Sequence, residues 1–109
     1  MKLFFTTRDM DATHDLRDYA EQCLRFSLDN FSYEVQAVEV EIGPFGIGDD
    51  TGHLCIVELS LRDGRRVEFQ QPGKNACQAI DLAFRRVQFN LARWFSPSIN
   101  TATALKQAS

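Results

Sequence analysis

The stretch LCIVELSLRDGRRVEF, Leu54 to Phe69, decides the fold. Cys55, Val57, Leu59 and Leu61 fall on one side of an extended chain, with Leu54, Ile56, Glu58 and Ser60 on the other. This period of two belongs to a half-buried strand, read here over His53–Arg62. Asp63-Gly64 is a two-residue hairpin signal. Beyond it, Val67 and Phe69 repeat the alternation in a second strand, Arg65–Gln71, which ends at Pro72-Gly73. An antiparallel hairpin with one greasy face needs a sheet and a covering layer, and the rest of the chain has to supply both.

Upstream, Val38, Val40 and Ile42 alternate with Ala37, Glu39 and Glu41, which predicts another half-buried strand over Val35–Ile42. The glycine-rich GPFGIGDDTG, Gly43–Gly52, reads as a loop on composition. Leu3–Thr7 is a short apolar and β-branched strand. Thr13 is placed to cap a helix in which Leu16, Tyr19, Ala20, Cys23, Leu24 and Phe31 recur at helical spacing, ending near Asn30–Ser32. Asn75 caps a second helix, Ala76 to about Phe95, with Ile80, Ala83, Phe84, Val87, Leu91 and Trp94 or Phe95 as its buried stripe and Pro97 as its stop. The order is β-α-β-β-β-α, with a right-handed parallel crossover through the first helix. The expected fold class is α+β: a four-stranded sheet with both helices on one face. Residues 1–96 form a single domain and 97–109 a flexible tail.

At 109 residues, 44% hydrophobic and 25% charged, the chain has the composition of one ordinary globular domain. It contains no apolar run of membrane-spanning length, and MKLFFTTRDMD turns polar too early for a signal peptide, so a cytoplasmic location without membrane contact is expected. Cys23, Cys55 and Cys77 are widely spaced and read as buried free thiols. Neither they nor His14 and His53 show ligand spacing, so no metal or other cofactor is expected. No nucleophile stands beside an activating base, and GPFGIG runs into Asp49-Asp50 rather than a helix. A nucleotide cradle, an enzyme activity and a small-molecule substrate are therefore not expected.

The formal net charge of −3 hides a split. Residues 1–61 hold four basic against twelve acidic side chains, and residues 62–109 hold eight against three. Such a division makes one face able to meet an anion, unless the two halves neutralise each other internally. At about 100° per residue, Arg86, Phe89 and Arg93 lie within about 40° of the meridian of Leu82 on the second helix, with Arg85 at the edge of the stripe, away from the core. Arginine suits bidentate phosphate contact and base stacking, so this stripe fits an RNA backbone. It equally fits pairing with the first helix, where Asp15, Asp18, Gln22, Phe26 and Asp29 form an acidic stripe, or a self-association seam giving a homodimer. Arg62, Arg65 and Arg66 add three arginines at the hairpin turn. With Lys74 and Arg25, the candidate RNA-binding residues are Arg62, Arg65, Arg66, Lys74, Arg85, Arg86, Phe89, Arg93 and Arg25.

FTTRDMDATHDLRDY, Phe5–Tyr19, resembles the opening of the ribosome hibernation factors, also described as ribosome-associated translation inhibitors or sigma-factor modulation proteins. The likeness rests on a first strand running into a Thr-initiated helix with an aliphatic-basic pair, Leu16-Arg17. NACQAIDL, Asn75–Leu82, resembles the family's entry into its last helix, with Ala79-Ile80-Asp81 at its core. The resemblance covers about residues 2–95. It implies a fold like a double-stranded RNA-binding domain and binding to 16S-type RNA of the small ribosomal subunit, in the tRNA and mRNA channel, with inhibition of translation under stress. The chain departs from the family in its acidic first helix, in His14 where a proline is common, in Trp94-Phe95 where lysines and arginines often follow, and in its acidic GPFGIGDDTG loop. Each departure reduces attraction for phosphate. The alternative is a protein-interaction or dimerisation module of the same fold that has lost ribosome binding.

Overall fold

A computed structural model describes residues 1–11, 13–46 and 51–95. The elements follow the expected order: β1 (Lys2–Thr7), α1 (His14–Leu28), a single 3₁₀ turn (Asp29–Phe31), β2 (Val35–Phe45), β3 (Gly52–Leu61), β4 (Arg66–Gly73) and α2 (Ala76–Trp94). The strands lie in the sheet in chain order. β1 is parallel to β2, while β3 is antiparallel to both its neighbours. A parallel pair needs a long crossover, and α1 supplies it. Both helix starts are capped as their sequences indicate. The Thr13 hydroxyl accepts from the Leu16 amide at 3.1 Å, and Asn75 Oδ1 accepts from the Gln78 amide at 2.8 Å.

The core is one apolar layer between the sheet and the helices. Val38, Val40 and Ile42 of β2, Cys55, Val57, Leu59 and Leu61 of β3, and Phe69 of β4 face Leu16, Ala20 and Leu24 of α1 and Ile80, Ala83, Phe84, Val87 and Leu91 of α2. α2 lies over β4 and β3, and α1 packs beside it toward β1. A bulge at Gln36 lets both Val35 and Val38 point into the core despite their odd spacing. The opposite face of the sheet has no covering element among the described residues. It carries Phe4 and Thr6 of β1, Glu39 and Glu41 of β2, Ile56 and Glu58 of β3, and Arg66 and Glu68 of β4.

Three local expectations are corrected. Gly43, Pro44 and Phe45 continue β2, and Gly52 already belongs to β3, through the pairs Gly43–Leu54, Pro44–His53 and Phe45–Gly52. β1 ends opposite Ile42, so Pro44 sits where β2 is an edge and its missing N–H costs no ladder bond. A Cβ on Gly43 would come within 2.8 Å of the Arg8 carbonyl oxygen, so glycine lets the chain leaving β1 pass close by. Pro72 and Gly73 do not break β4, for they pair with Leu54 and His53; β4 is the other edge, where proline is again tolerated.

The hairpin loop has three residues, Arg62–Gly64. The Gly64 amide donates to the Leu61 carbonyl at 3.0 Å and the Leu61 amide donates to the Arg65 carbonyl at 2.8 Å. Gly64 has a φ of +99°, as the bulged position of such a loop requires. Trp94 stays exposed beside Phe69, and Phe95 packs against the core in its place. The stop at Pro97, the tail 97–109 and the acidic pair Asp49-Asp50 lie outside the described residues. Among those described, no helix is long and apolar enough to cross a membrane.

Candidate nucleic-acid interface

The nine residues singled out on chemistry do not all share one surface. Arg86 and Arg93 project from the outer side of α2. The Arg86 guanidinium lies over the Phe69 ring at 5.7 Å and donates to the Gln70 carbonyl at 2.9 Å, so it is held against the edge of β4. Arg93 lies 5.8 Å over the ring of Phe89, which is 63% exposed. At the end of α2 the hairpin joins this surface. Arg65 lies 5.7 Å over the Phe95 ring, and Arg62 lines the same groove as Phe95 and Tyr33. Arg62 is fixed by a 2.6 Å bond from Nε to the Tyr33 carbonyl and by stacking 4.6 Å over the Tyr33 ring. Arg62, Arg65, Arg86 and Arg93 thus form a cationic surface in which each guanidinium rests on an aromatic ring, an arrangement that holds the charge outward while covering apolar area.

Carboxylates touch some of these arginines. Arg65 Nε is 2.8 Å from Asp63 Oδ2, and Asp63 Oδ1 accepts the Arg65 amide at 3.0 Å; that backbone bond, with the guanidinium beside it, lowers the Asp63 pKa. Arg85 pairs with Asp81 one turn back at 3.1 Å, and Arg25 with Glu21 at 3.2 Å. The two pairs one helical turn apart are worth only about 0.3–0.5 kcal/mol each, and all three pairs are exposed and open to competition from a phosphate. Arg62, Arg86, Arg93 and Lys74 have no carboxylate within ion-pair distance among the described residues. Among the described residues, the internal match that charge counting allowed does not form at these positions. None of the α2 arginines pairs with Asp15, Asp18 or Asp29, and Phe26 does not meet Phe89 but stands 87% exposed.

Three of the nine lie elsewhere. Arg66 is on the open face of the sheet, 2.6 Å from Glu58 and 3.5 Å from Glu39, and its hydrogen bond holds the Glu58 carboxyl below the usual range. Lys74 precedes the start of α2, at the far end of that helix from Arg93, where its amide donates to Gln78 Oε1 at 2.6 Å. Arg25 is on α1. The cysteines also divide: Cys55 is buried, with its thiol pushed up to about 12 by desolvation, Cys23 is half-buried between the helices, and Cys77 is exposed, against the expectation that all three are buried. Among the described residues, no group of three potential metal ligands comes together.

The match to known proteins covers nearly the whole chain. Residues 3–94 match the family described as Sigma 54 modulation protein / S30EA ribosomal protein. The chain belongs to this family. No curated protein sequence matches it. Solved structures similar in fold include the following two. One is a ribosomal subunit interface protein from Coxiella burnetii, with a TM-score of 0.72 and 16% identity, covering 86% of this chain and 97% of the other. The second is the N-terminal domain of Protein Y from Thermus thermophilus, with a TM-score of 0.69 and 22% identity, covering 86% and 96%.

Within this S30EA-family fold, Tyr33 and Phe95 complete the cationic surface, yet neither stood among the candidates. Phe95 looked like the last turn of a core stripe, and Tyr33 lies in a connection 29 residues from the arginine it carries. No local pattern links such partners.

Proposed function

We propose that this S30EA-family protein binds RNA of the small ribosomal subunit in the tRNA and mRNA channel and thereby inhibits translation. The observation that carries the reading is the surface made by α2 and the β3–β4 hairpin, on which Arg62, Arg86 and Arg93 make no ion pair with any described residue of an otherwise acidic protein. Arg86 and Arg93 are two turns apart, about 10 Å along the helix axis, enough to reach separate phosphates of one strand. Arg62 and Arg65 extend that line past the end of α2. Arginine grips phosphate bidentately, and Phe89 offers a face on which an unpaired base can stack.

Inhibition on this reading is steric. The protein fills a channel that ligands of the ribosome need, and no bond is made or broken. Family membership and the fold shared with a ribosomal subunit interface protein support the choice of the ribosome over other RNA. The test is co-sedimentation with isolated small and large subunits at low salt, followed by competition with tRNA and mRNA. Binding to the small subunit alone, displaced by these ligands and accompanied by loss of in vitro translation, is expected. Absence of binding at low salt, or equal binding to both subunits, overturns the proposal.

A further inference from the structure

The two edges of the sheet are protected unequally. At one edge, β4 carries Pro72, which has no amide to offer, and the charged Arg66 and Glu68. Arg86 of α2 already donates to its Gln70 carbonyl at 2.9 Å. Proline, charge and a covering side chain are usual means by which a sheet edge avoids pairing with another chain. At the other edge, β1 has none of them among the described residues. It reads KLFFTT, its one charge is Lys2 at the start, and its 6 residues pair with β2 without a bulge.

The ladder fixes which backbone groups of β1 are left over. The Arg8 amide donates to the Ile42 carbonyl of β2 at 2.9 Å, and backbone groups along a strand point to alternate sides. Those of Phe4 and Thr6 therefore turn toward β2, and those of Leu3, Phe5 and Thr7 point away from the sheet. Among the described residues, no hydrogen bond reaches the outward set. Side chains alternate as well. Phe4 and Thr6 stand on the open face, where Phe4 is 51% exposed, while Leu3 and Phe5 pack against the core.

Such an edge accepts an added strand, and a second β1 fits it in one register. Two identical edges paired antiparallel are related by a two-fold axis normal to the sheet, which keeps both helical layers on the same side. Facing residues must share a side of the sheet, and those that exchange hydrogen bonds must belong to the outward set. With the axis at Phe4, Leu3 faces Phe5, Phe4 faces Phe4 and Lys2 faces Thr6. Leu3 and Phe5 then exchange both hydrogen bonds, and symmetry repeats the exchange. Phe4 occupies the closer position between them, where an aromatic pair interacts across strands. Moving the axis to Phe5 sets Lys2 against Arg8, and moving it to Leu3 sets Lys2 against Phe4. The Phe4 register alone puts Leu3, Phe4 and Phe5 all opposite apolar side chains of the strand. It also brings Lys2 beside Thr6, the neighbour of Glu41 on β2. The α1 helices run antiparallel on either side of the axis. Their flank away from α2 carries both signs, Glu21 beside Arg17 and Arg25.

We propose that two copies of this protein pair through their β1 edges about a two-fold axis at Phe4, joining two four-stranded sheets into one. The arginine surface of α2 and the hairpin lies toward β4, at the far edge. Pairing therefore leaves that surface open and does not rest on the RNA-binding reading.

The test is sedimentation velocity of the full chain over a rising concentration series, with folding checked by circular dichroism. Wild type is expected to double its mass. Phe4→Lys sets two ammonium groups against each other at the axis and is expected to stay monomeric; the side chain is exposed, so the fold should survive. Amide hydrogen exchange in wild type reads the edge without any substitution. The Leu3 and Phe5 amides should exchange fast in dilute protein and slow down with concentration, while the Thr6 amide, turned toward β2, stays slow throughout. Cysteine cross-linking reads the register, in a Cys77→Ser background that removes the exposed native thiol. Phe4→Cys should cross-link to its own copy, and Lys2→Cys and Thr6→Cys only when mixed. Three results overturn the proposal: a wild type monomeric at every concentration, a dimer that survives Phe4→Lys, or Thr6→Cys cross-linking alone as fast as Phe4→Cys. Leu3 and Phe5 amides already slow in the dilute monomer would mean that the chain itself fills the edge, and would overturn it too.

Discussion

Replacing Arg66 by alanine separates stability from RNA binding. Glu58 stands directly opposite Glu39 on β2 and directly opposite Glu68 on β4, so three carboxylates form a row across three strands. Like charges directly opposite one another in a sheet repel, by a few tenths to about 1 kcal/mol for each pair. Arg66 bridges the first two, at 2.6 Å to Glu58 and 3.5 Å to Glu39. Exposed ion pairs contribute about 0.2–1 kcal/mol, and the longer contact falls at the low end of that range. The loss on substitution, bridge and unmasked repulsion together, is about 1–1.5 kcal/mol, or a fall in Tm of about 5 °C for a domain of this size.

The loss depends on pH with a definite sign. The Arg66 hydrogen bond lowers the folded pKa of Glu58, so its stabilising effect is present above the ordinary glutamate value and disappears as pH falls through the folded one. Wild type and variant should therefore differ fully above about pH 5 and converge as acid carries the pH below the ordinary glutamate range, read by urea or thermal unfolding. Because Arg66 lies on the face opposite the helices, subunit co-sedimentation should not change. Equal stability at neutral pH, a difference that survives acid, or a loss of subunit binding matching that of Arg93→Ala would each refute the reasoning.

The helix caps and the thiols give two simpler checks. Thr13→Ala and Asn75→Ala each remove the acceptor for one unpaired amide at a helix start, at 3.1 and 2.8 Å, and should each cost about 1 kcal/mol in chemical denaturation. The sites lie on different helices, so their effects should add in the double variant. With iodoacetamide at mildly alkaline pH, mass mapping should find Cys77 modified first. Cys55, buried with its thiol pushed up to about 12, should stay unmodified until the protein unfolds.

The sheet was legible where one face alone is buried, because a period of two then leaves no freedom. Cys55, Val57, Leu59 and Leu61 could not be exposed together without losing the core. Composition misled at Gly43-Pro44 and Pro72-Gly73, since proline breaks a strand only where its amide is needed, and which strands are edges is a property of the whole sheet. Arg66 is a different failure. Val67 and Phe69 point inward, so alternation already sent Arg66 and Glu68 to the face away from the helices. Grouping arginines by proximity in sequence overrode that signal. The rings beneath Arg62, Arg65 and Arg86 come from Tyr33, Phe95 and Phe69, brought close only by packing of distant segments. That arrangement was invisible to local spacing.

The central claim is that guanidinium groups of α2 and the hairpin contact phosphate, and the salt dependence of small-subunit binding measures it most directly. Each phosphate neutralised contributes about −0.7 to −0.9 to the slope of log K against log salt concentration. Three contacts from Arg62, Arg86 and Arg93, rising to five with Arg65 and Arg85, predict a slope of about −2 to −4.5. Arg86→Gln/Arg93→Gln should flatten it by about 1.4–1.8. A slope near zero, or one that the double substitution leaves unchanged, would contradict the account.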